Sequence, residues 1–314
     1  MSRIEHQPSA GHDAIKDRAI GALLGLAVGD AIGTTLEFRS RDTYEPVTDM
    51  VGGGPFGLKV GEWTDDTAMA LALADSLEDR DDLDEQELLG RFVNWWQLGV
   101  YSCTGECFDL GRTTRQALLR WQSTKESHCG STDPRSAGNG SLMRLAPVAI
   151  RFWNDRKKLR DVAGRQSKTT HAAPEAVDAC IAFADVLADA IEGRSKSEVL
   201  RSRSESYAGA IGMVMSAQWK EKPRTAIRST GYVAHSLEAA LWCVDRNANY
   251  RNAVLTAANL GEDADTTAAI TGQLAGALYG ASGIPENWVT RIAWGDEIKM
   301  KAANLLGRAI REKG

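Results

Sequence analysis

A chain of 314 residues with 43% hydrophobic and 25% charged residues has an ordinary globular composition and enough length to bury a sizeable core. Its 37 basic and 42 acidic residues leave a formal net charge of -5, which repels a phosphate backbone and excludes general nucleic-acid binding. The five cysteines (Cys103, Cys107, Cys129, Cys180, Cys243) are odd in number and lack C-x-x-C spacing, which argues against a disulfide framework or a zinc site and for a reducing, cytoplasmic setting.

Residues 1–14 are polar, with Pro8 and Gly11, and read as a mobile arm ahead of a folded body spanning 15–314. They hold no signal-peptide core, and the apolar stretches elsewhere are interrupted by Asp or Gly, so no membrane crossing is expected. From Ile15 onward apolar residues recur at helical spacing, as in Ile15, Ala19, Leu23 and Leu26. Glycine then falls at every fourth position in GALLGLAVGDAIG (Gly21, Gly25, Gly29, Gly33). Each glycine costs a helix roughly 1 kcal/mol relative to alanine, a loss that close backbone approach can recover. The glycines and Pro55 of VGGGPFGLKVGE (51–62) predict a loop, and GEWTDDTAMALALA (61–74) a helix beginning just after Thr64.

A second loop is expected across 123–140. Val177, Ile181, Ala184, Ala188 and Ile191 then mark a helix, with the polar GRSKSE (193–198) joining it to the next. Leu237, Leu241 and Val244 mark another, and GEDADTTAAITG (261–272) leads into a further glycine-spaced helix through Gly272, Gly276 and Gly280. Period-two alternation is not sustained anywhere, which predicts an all-α, compact single-domain helical bundle.

The chemistry concentrates in the two segments that set acids and hydroxyls at helix starts. Taken singly, Thr64 or Asp263 need only cap a helix, with neighbouring acids offsetting the positive end of its dipole. A cap needs one acceptor, whereas each segment carries two carboxylates and threonine oxygens, the ligand set of a hard cation such as Mg²⁺ or Mn²⁺. Brought together, Asp65, Asp66, Asp263 and Asp265 would repel one another strongly unless divalent cations cancelled the charge. Neither segment contains His or Cys, which argues against zinc. Glu37, in TTLEF, offers a further carboxylate, or else an ordinary surface acid.

In order along the chain stand GALLGLAVGDAIG followed by LEF, then W-T-D-D-T, G-N-G-S-L-M-R, T-H-A-A-P and G-E-D-A-D-T-T-A-A-I-T-G. This series resembles the ADP-ribosylglycohydrolase family from about residue 15 to the region near Gly280. The resemblance implies an all-α fold, a binuclear Mg²⁺ or Mn²⁺ centre, and hydrolysis of an ADP-ribosyl bond to a protein side chain. It places metal ligands at Thr64, Asp65, Asp66, Asp263, Asp265 and Thr266, and the family's mobile acidic residue at Glu37. It also implies that Asn139, Gly140, Ser141, Leu142 and Met143 approach the diphosphate or ribose, where glycine exposes backbone N–H groups. His171 of THAAP would lie near the phosphates, and Pro174 in the first turn of a helix. Where many relatives have two glycines before the first Asp of the last motif, this chain has Gly261 and Glu262.

Within this reading, Glu37 and Asp65 orient or deprotonate the attacking water. Trp95 and Trp96 are expected as one buried and one partly exposed helical aromatic, with an aromatic lid over adenine as the alternative. Cys103 and Cys107 are expected as packed or exposed thiols, with a segment rimming the cleft as the alternative. ADP-ribosylarginine on a protein is the expected substrate, with ADP-ribosylserine or another ADP-ribose conjugate as the alternative. A different class of function is an immunity protein that neutralises an ADP-ribosyltransferase toxin by binding it through the N-terminal arm.

Overall fold

The two glycine-spaced segments form the two central helices of the protein. The computed structural model describes residues 10–311, which contain fourteen α-helices and no β-strand. In chain order these are α1 (Ala10–Gly33), α2 (Asp65–Asp79), α3 (Glu85–Leu98), α4 (Arg112–Thr124), α5 (Ala146–Phe152), α6 (Arg156–Thr170) and α7 (Pro174–Glu192). They continue with α8 (Lys196–Val199), α9 (Gly209–Met215), α10 (Val233–Arg246), α11 (Tyr250–Ala258), α12 (Ala264–Tyr279), α13 (Glu286–Val289) and α14 (Gly295–Arg311). Short 3₁₀ turns, Thr34–Leu36 among them, connect several of these.

α1 and α12 lie against each other with their backbones nearly touching. A methyl group on Gly25 would sit 2.4 Å from the carbonyl oxygen of Gly272, and one on Gly272 would sit 2.0 Å from that of Gly25. Gly21 meets Gly276 in the same way, Gly29 meets Ala268 and Gly33 meets Ala264, so the helices run antiparallel. The Tyr250 hydroxyl donates to the Gly25 carbonyl oxygen at 2.7 Å, which ties α11 to the same seam. The glycines are therefore retained for close packing, and the helix penalty they carry is offset there.

This antiparallel register sets the functional geometry. It brings the C-terminal end of α1, with Asp30 and the following Glu37, beside the first turn of α12. α2 packs on α1, α3, α5 and α14, which carries its own first turn to the same place.

Two expectations shift at the N-terminus. Residues 10–14 are the opening turns of α1 rather than part of an arm, with Asp13 placed favourably for the helix dipole. The rest of the expected arm, 1–9, lies outside the described residues, as does the toxin-binding role attached to it. Gly11–Leu36 is also apolar and long enough by composition to cross a bilayer, yet 89% of its most apolar window is buried as the core helix of this fold. The joining segment 193–198 is more structured than its polarity suggests, since Ser195 and Glu198 form a capping box that starts α8. Pro174 stands at the first position of α7 as expected.

Candidate active site

Thr64 and Asp263 occupy the N-cap positions of α2 and α12, but neither side chain caps its own helix. Both caps come from elsewhere. The Asp30 carboxylate, on α1, accepts from the Thr64 N–H at 3.0 and 3.1 Å and from the Thr67 N–H at 3.0 Å. It also accepts from the Thr64 and Thr67 hydroxyls at 2.8 and 2.6 Å. Glu37 serves α12 similarly: its Oε2 accepts from the N–H groups of Ala264 at 2.7 Å and Asp265 at 3.3 Å. Orphan helix N–H groups are thus satisfied in trans, which frees Thr64 and Asp263 for other partners. Expected as a movable acid, Glu37 is instead buried and held by two backbone groups in this structure.

The released side chains converge with those of the next turn. The Thr64 hydroxyl lies 3.3 Å from Asp66 Oδ2 and 3.4 Å from Asp265 Oδ2, while that of Thr266 lies 3.4 Å from Asp66 Oδ2. Two carboxylate triads have ligand oxygens within 4.8 Å of one another, Asp30–Asp66–Asp265 and Glu37–Asp263–Asp265. Asp265 belongs to both, so two adjacent cation positions would share it. Asp65 lines the cleft beside the triads, together with Asp109. Burial, reinforced by neighbouring carboxylates, pushes Asp65, Asp66 and Asp265 far above the usual carboxylate range. Burial raises Asp263 as well, and lifts Glu37 to about 8 and Asp109 to about 6.

The donor set fits divalent cations. Asp66 Oδ1 is buried without any hydrogen-bond partner, an arrangement that is costly for a carboxylate unless a cation or proton meets it. All candidate ligands are oxygens, and the threonine hydroxyls add neutral ones, which suits a hard ion.

Above the carboxylates opens a cleft of 620 Å³, a size suited to a small-molecule ligand. One end is acidic, lined by Glu37, Asp65, Asp109, Glu262, Asp263 and Asp265 together with Phe38. The lining continues with Arg112–Thr114 at the start of α4, with Gly138, Asn139, Gly140 and Met143, and with His171. A methyl group on Gly140 would lie 2.7 Å from the His171 ring, so glycine is needed for the loop to pass the imidazole.

Arg144, the last residue of GNGSLMR, is fully buried and donates to Thr170 Oγ1 at 2.9 Å. That hydroxyl lies 2.9 Å from His171 Nδ1, a hydrogen bond that occupies Nδ1 and leaves Nε2 on the side of Gly138 and Gly140. Burial, then Arg144, pulls His171 down to about 3, and the ring is neutral at pH 7.

The expected substrate loop divides into two faces. Asn139, Gly140 and Met143 line the cleft, and the Asn139 amide donates to Asp263 Oδ2 at 2.7 Å. Ser141 and Leu142 do not line it. The turn directs both into the core, where the Ser141 hydroxyl pairs with Ser167 at 2.8 Å. Trp95 is buried and Trp96 partly buried under Arg115, and neither reaches the cleft. The aromatic at the mouth is Phe38, beside Phe56 and Phe108. Sequence reasoning also missed Asp30 and Asp109. A lone acid within the apolar α1 stretch was the one signal for Asp30, and Asp109 had none beyond its place in the segment after Cys107.

The comparisons agree with this geometry. The family model described as ADP-ribosylglycohydrolase matches residues 11–313. ADP-ribosylarginine hydrolase Tri1 of Pseudomonas putida (strain GB-1) is 48% identical over 93% of this chain and 79% of its own length. The protein of the same name from Serratia proteamaculans (strain 568) is 44% identical over 94% and 81%. A solved structure of an ADP-ribosylglycohydrolase-related protein complex superposes with a TM-score of 0.85 at 36% identity, covering 95% of this chain and 99% of that one. This helical chain, with its two carboxylate triads below a glycine-walled cleft, belongs to the ADP-ribosylglycohydrolase family.

Proposed function

We propose that this protein hydrolyses the N-glycosidic bond between ADP-ribose and an arginine side chain of a modified protein, with two Mg²⁺ or Mn²⁺ ions as cofactors. The observation that carries the reading is the pair of triads sharing Asp265 at the floor of the cleft. The similar proteins named as ADP-ribosylarginine hydrolases favour arginine over serine as the linked residue.

Thr64, Asp65, Asp66, Asp263, Asp265 and Thr266 would hold the ions, with Glu37 within reach of the second position. When bound, the cations supply Lewis-acid chemistry: they neutralise the carboxylates and polarise sugar and water oxygens. Bond cleavage builds positive charge on the anomeric carbon, and the acidic end of the cleft stabilises it. Glu37 and Asp65, joined by Asp109, are the carboxylates placed to orient the attacking water and take its proton. The carbon–nitrogen bond breaks, water supplies the new hydroxyl, and the leaving guanidine recovers a proton. The His171 ring, the Gly140 turn and the first turn of α4 line the part of the cleft suited to the diphosphate, where the backbone N–H groups can meet its oxygens. Five free cysteines support a reducing, cytoplasmic setting for this work.

The test is to incubate the protein with arginine-ADP-ribosylated and serine-ADP-ribosylated targets, with Mg²⁺ or with a chelator, and to follow released ADP-ribose. Release from the arginine conjugate alone, abolished by chelation, is the expected result. Equal release with chelator present would reject the metal-dependent reading.

A further inference from the structure

Two residues at the mouth of the cleft hold unusual backbone conformations and are bonded to each other. Phe38 has φ 60° and Glu262 φ 62°, both in the left-handed region that side-chain-bearing residues rarely adopt. The Phe38 N–H donates to the Glu262 carbonyl oxygen at 2.8 Å, and the Glu262 N–H to that of Arg39 at 2.7 Å. The pair is fixed in place. Arg41, three residues past Phe38, donates to the carbonyl oxygens of Leu260, Arg224 and Ile227 and so clamps this loop to the segments around Glu262.

Neither side chain contributes to the fold in proportion to that strain. Phe38 is 68% exposed although it lines the cleft, and its ring is backed edge-on by Phe56, centroids 6.3 Å apart, which in turn meets Phe108 at 5.2 Å. Glu262 also lines the cleft, and among the described residues its carboxylate forms no hydrogen bond or ion pair. Each residue is the chain neighbour of a floor carboxylate, Phe38 of Glu37 and Glu262 of Asp263.

We propose that Phe38 and Glu262 form the leaving-group subsite, in which the ring stacks on the guanidinium of the ADP-ribosylated arginine and the carboxylate pairs with it. The inference rests on the arginine reading above and adds the residues that choose the linkage. A guanidinium is planar and cationic, and it satisfies an aromatic face and a carboxylate together. A serine linkage has neither the positive charge nor the planar face, and its ether oxygen carries no hydrogen to give the carboxylate. Charge complementarity favours the cation, since the Glu262 carboxylate lies outside both triads. Among the described residues Arg112 is the one Lys or Arg side chain lining the cleft, against six acids.

The experiment compares wild type with Phe38→Leu, Glu262→Gln and Glu262→Gly, using arginine and serine conjugates with Mg²⁺, and measures the affinity of each protein for free ADP-ribose. Glycine is at ease at φ 62°, so Glu262→Gly is expected to fold at least as stably as wild type, and its melting temperature checks this. For the arginine conjugate, each variant should raise KM about tenfold and lower the arginine-over-serine preference by the same factor. Affinity for free ADP-ribose, which lacks the guanidinium, should stay within about twofold of wild type, since a contact made only by the leaving group cannot alter it. An unchanged arginine KM would overturn the subsite while leaving the hydrolase reading intact. Weaker binding of free ADP-ribose by Phe38→Leu would overturn it too, because the ring would then face adenine or ribose. A wild-type protein that cleaves only the serine conjugate, or neither, would remove the arginine reading and this subsite with it.

Discussion

Asp30 and Thr64 lie 34 positions apart, yet the Asp30 carboxylate receives both the backbone N–H and the hydroxyl of Thr64, at 3.0 and 2.8 Å. The hydroxyl hydrogen is thereby committed to Asp30, and the lone pairs of Thr64 Oγ turn toward Asp66 and Asp265. Asp30 thus positions Thr64, whatever else its own carboxylate can hold. Asp30→Asn should weaken Mg²⁺ binding about 10–100-fold, the usual effect of losing a partner that orients a ligand, as read by isothermal titration. Asp30→Ala would leave four buried donors without their acceptor and cost on the order of 3 kcal/mol in chemical denaturation. Mg²⁺ affinity that survives Asp30→Asn unchanged would show that Thr64 needs no such orientation.

That relationship also marks the limit of what the chain discloses before folding. The glycine spacing announced two central helices, because close backbone approach leaves a periodic trace, and the W-T-D-D-T and E-D-A-D-T-T segments announced the floor of the site. Their helix starts were legible, but not what capped them, since capping in trans joins residues through the α1–α12 register and writes no local pattern. Ser141 and Leu142 read as cleft residues because the glycines beside them are cleft residues, and a single turn of backbone then sends their side chains to the core. The paired tryptophans stand on α3 as expected, one buried and one partly exposed, and the lid alternative fails because the exposed ring at the cleft belongs to Phe38. Its outward placement follows from a left-handed φ that composition does not encode.

Asp265 is shared by both triads and Asp66 belongs to one, which separates their expected phenotypes. Asp265→Asn should abolish binding at both positions and lower turnover roughly 10²–10³-fold. Asp66→Asn should leave one measurable Mg²⁺ site. In the absence of cations Asp265→Asn should raise the melting temperature by at least about 2 °C, since it removes a carboxylate from a buried, mutually repelling cluster. Calorimetry with and without Mg²⁺ checks the binding and stability outcomes, and steady-state release of ADP-ribose checks the turnover. Equal loss of both sites in the two variants would contradict the shared position of Asp265.

The same cluster makes stability depend on pH in a direction opposite to ordinary acid denaturation. A carboxylate whose folded pKa is raised binds more protons folded than unfolded, so the metal-free protein loses stability as pH climbs from the unfolded value toward the folded one. Glu37, lifted by burial to about 8, extends that loss across neutral pH, and Asp65, Asp66 and Asp265 add to it. His171, lowered to about 3, acts in the contrary sense, but only below its unfolded pKa of about 6.5. Between about pH 6.5 and 8 the metal-free melting temperature should therefore fall. The increase produced by saturating Mg²⁺ should grow over the same interval, because deprotonated ligands bind it better. A Mg²⁺-induced shift that is constant across these pH values would mean the carboxylates are already ionised without metal.

Glu37 combines two duties that substitution can separate. Its Oε2 caps α12 through the N–H groups of Ala264 and Asp265, and its carboxylate also faces Asp263 and Asp265 in the second triad. Glutamine retains an acceptor oxygen for the cap but can neither take a proton nor match the charge of a cation. Glu37→Gln should keep the metal-free melting temperature at or above that of wild type while lowering kcat roughly 10²-fold. Glu37→Ala should lose the cap as well, at about 1 kcal/mol. Both are read by thermal unfolding beside steady-state release of ADP-ribose. If Glu37→Gln turned over at the wild-type rate while Glu37→Ala did not, the residue would be a helix cap alone, and proton transfer from water would pass to Asp65 and Asp109.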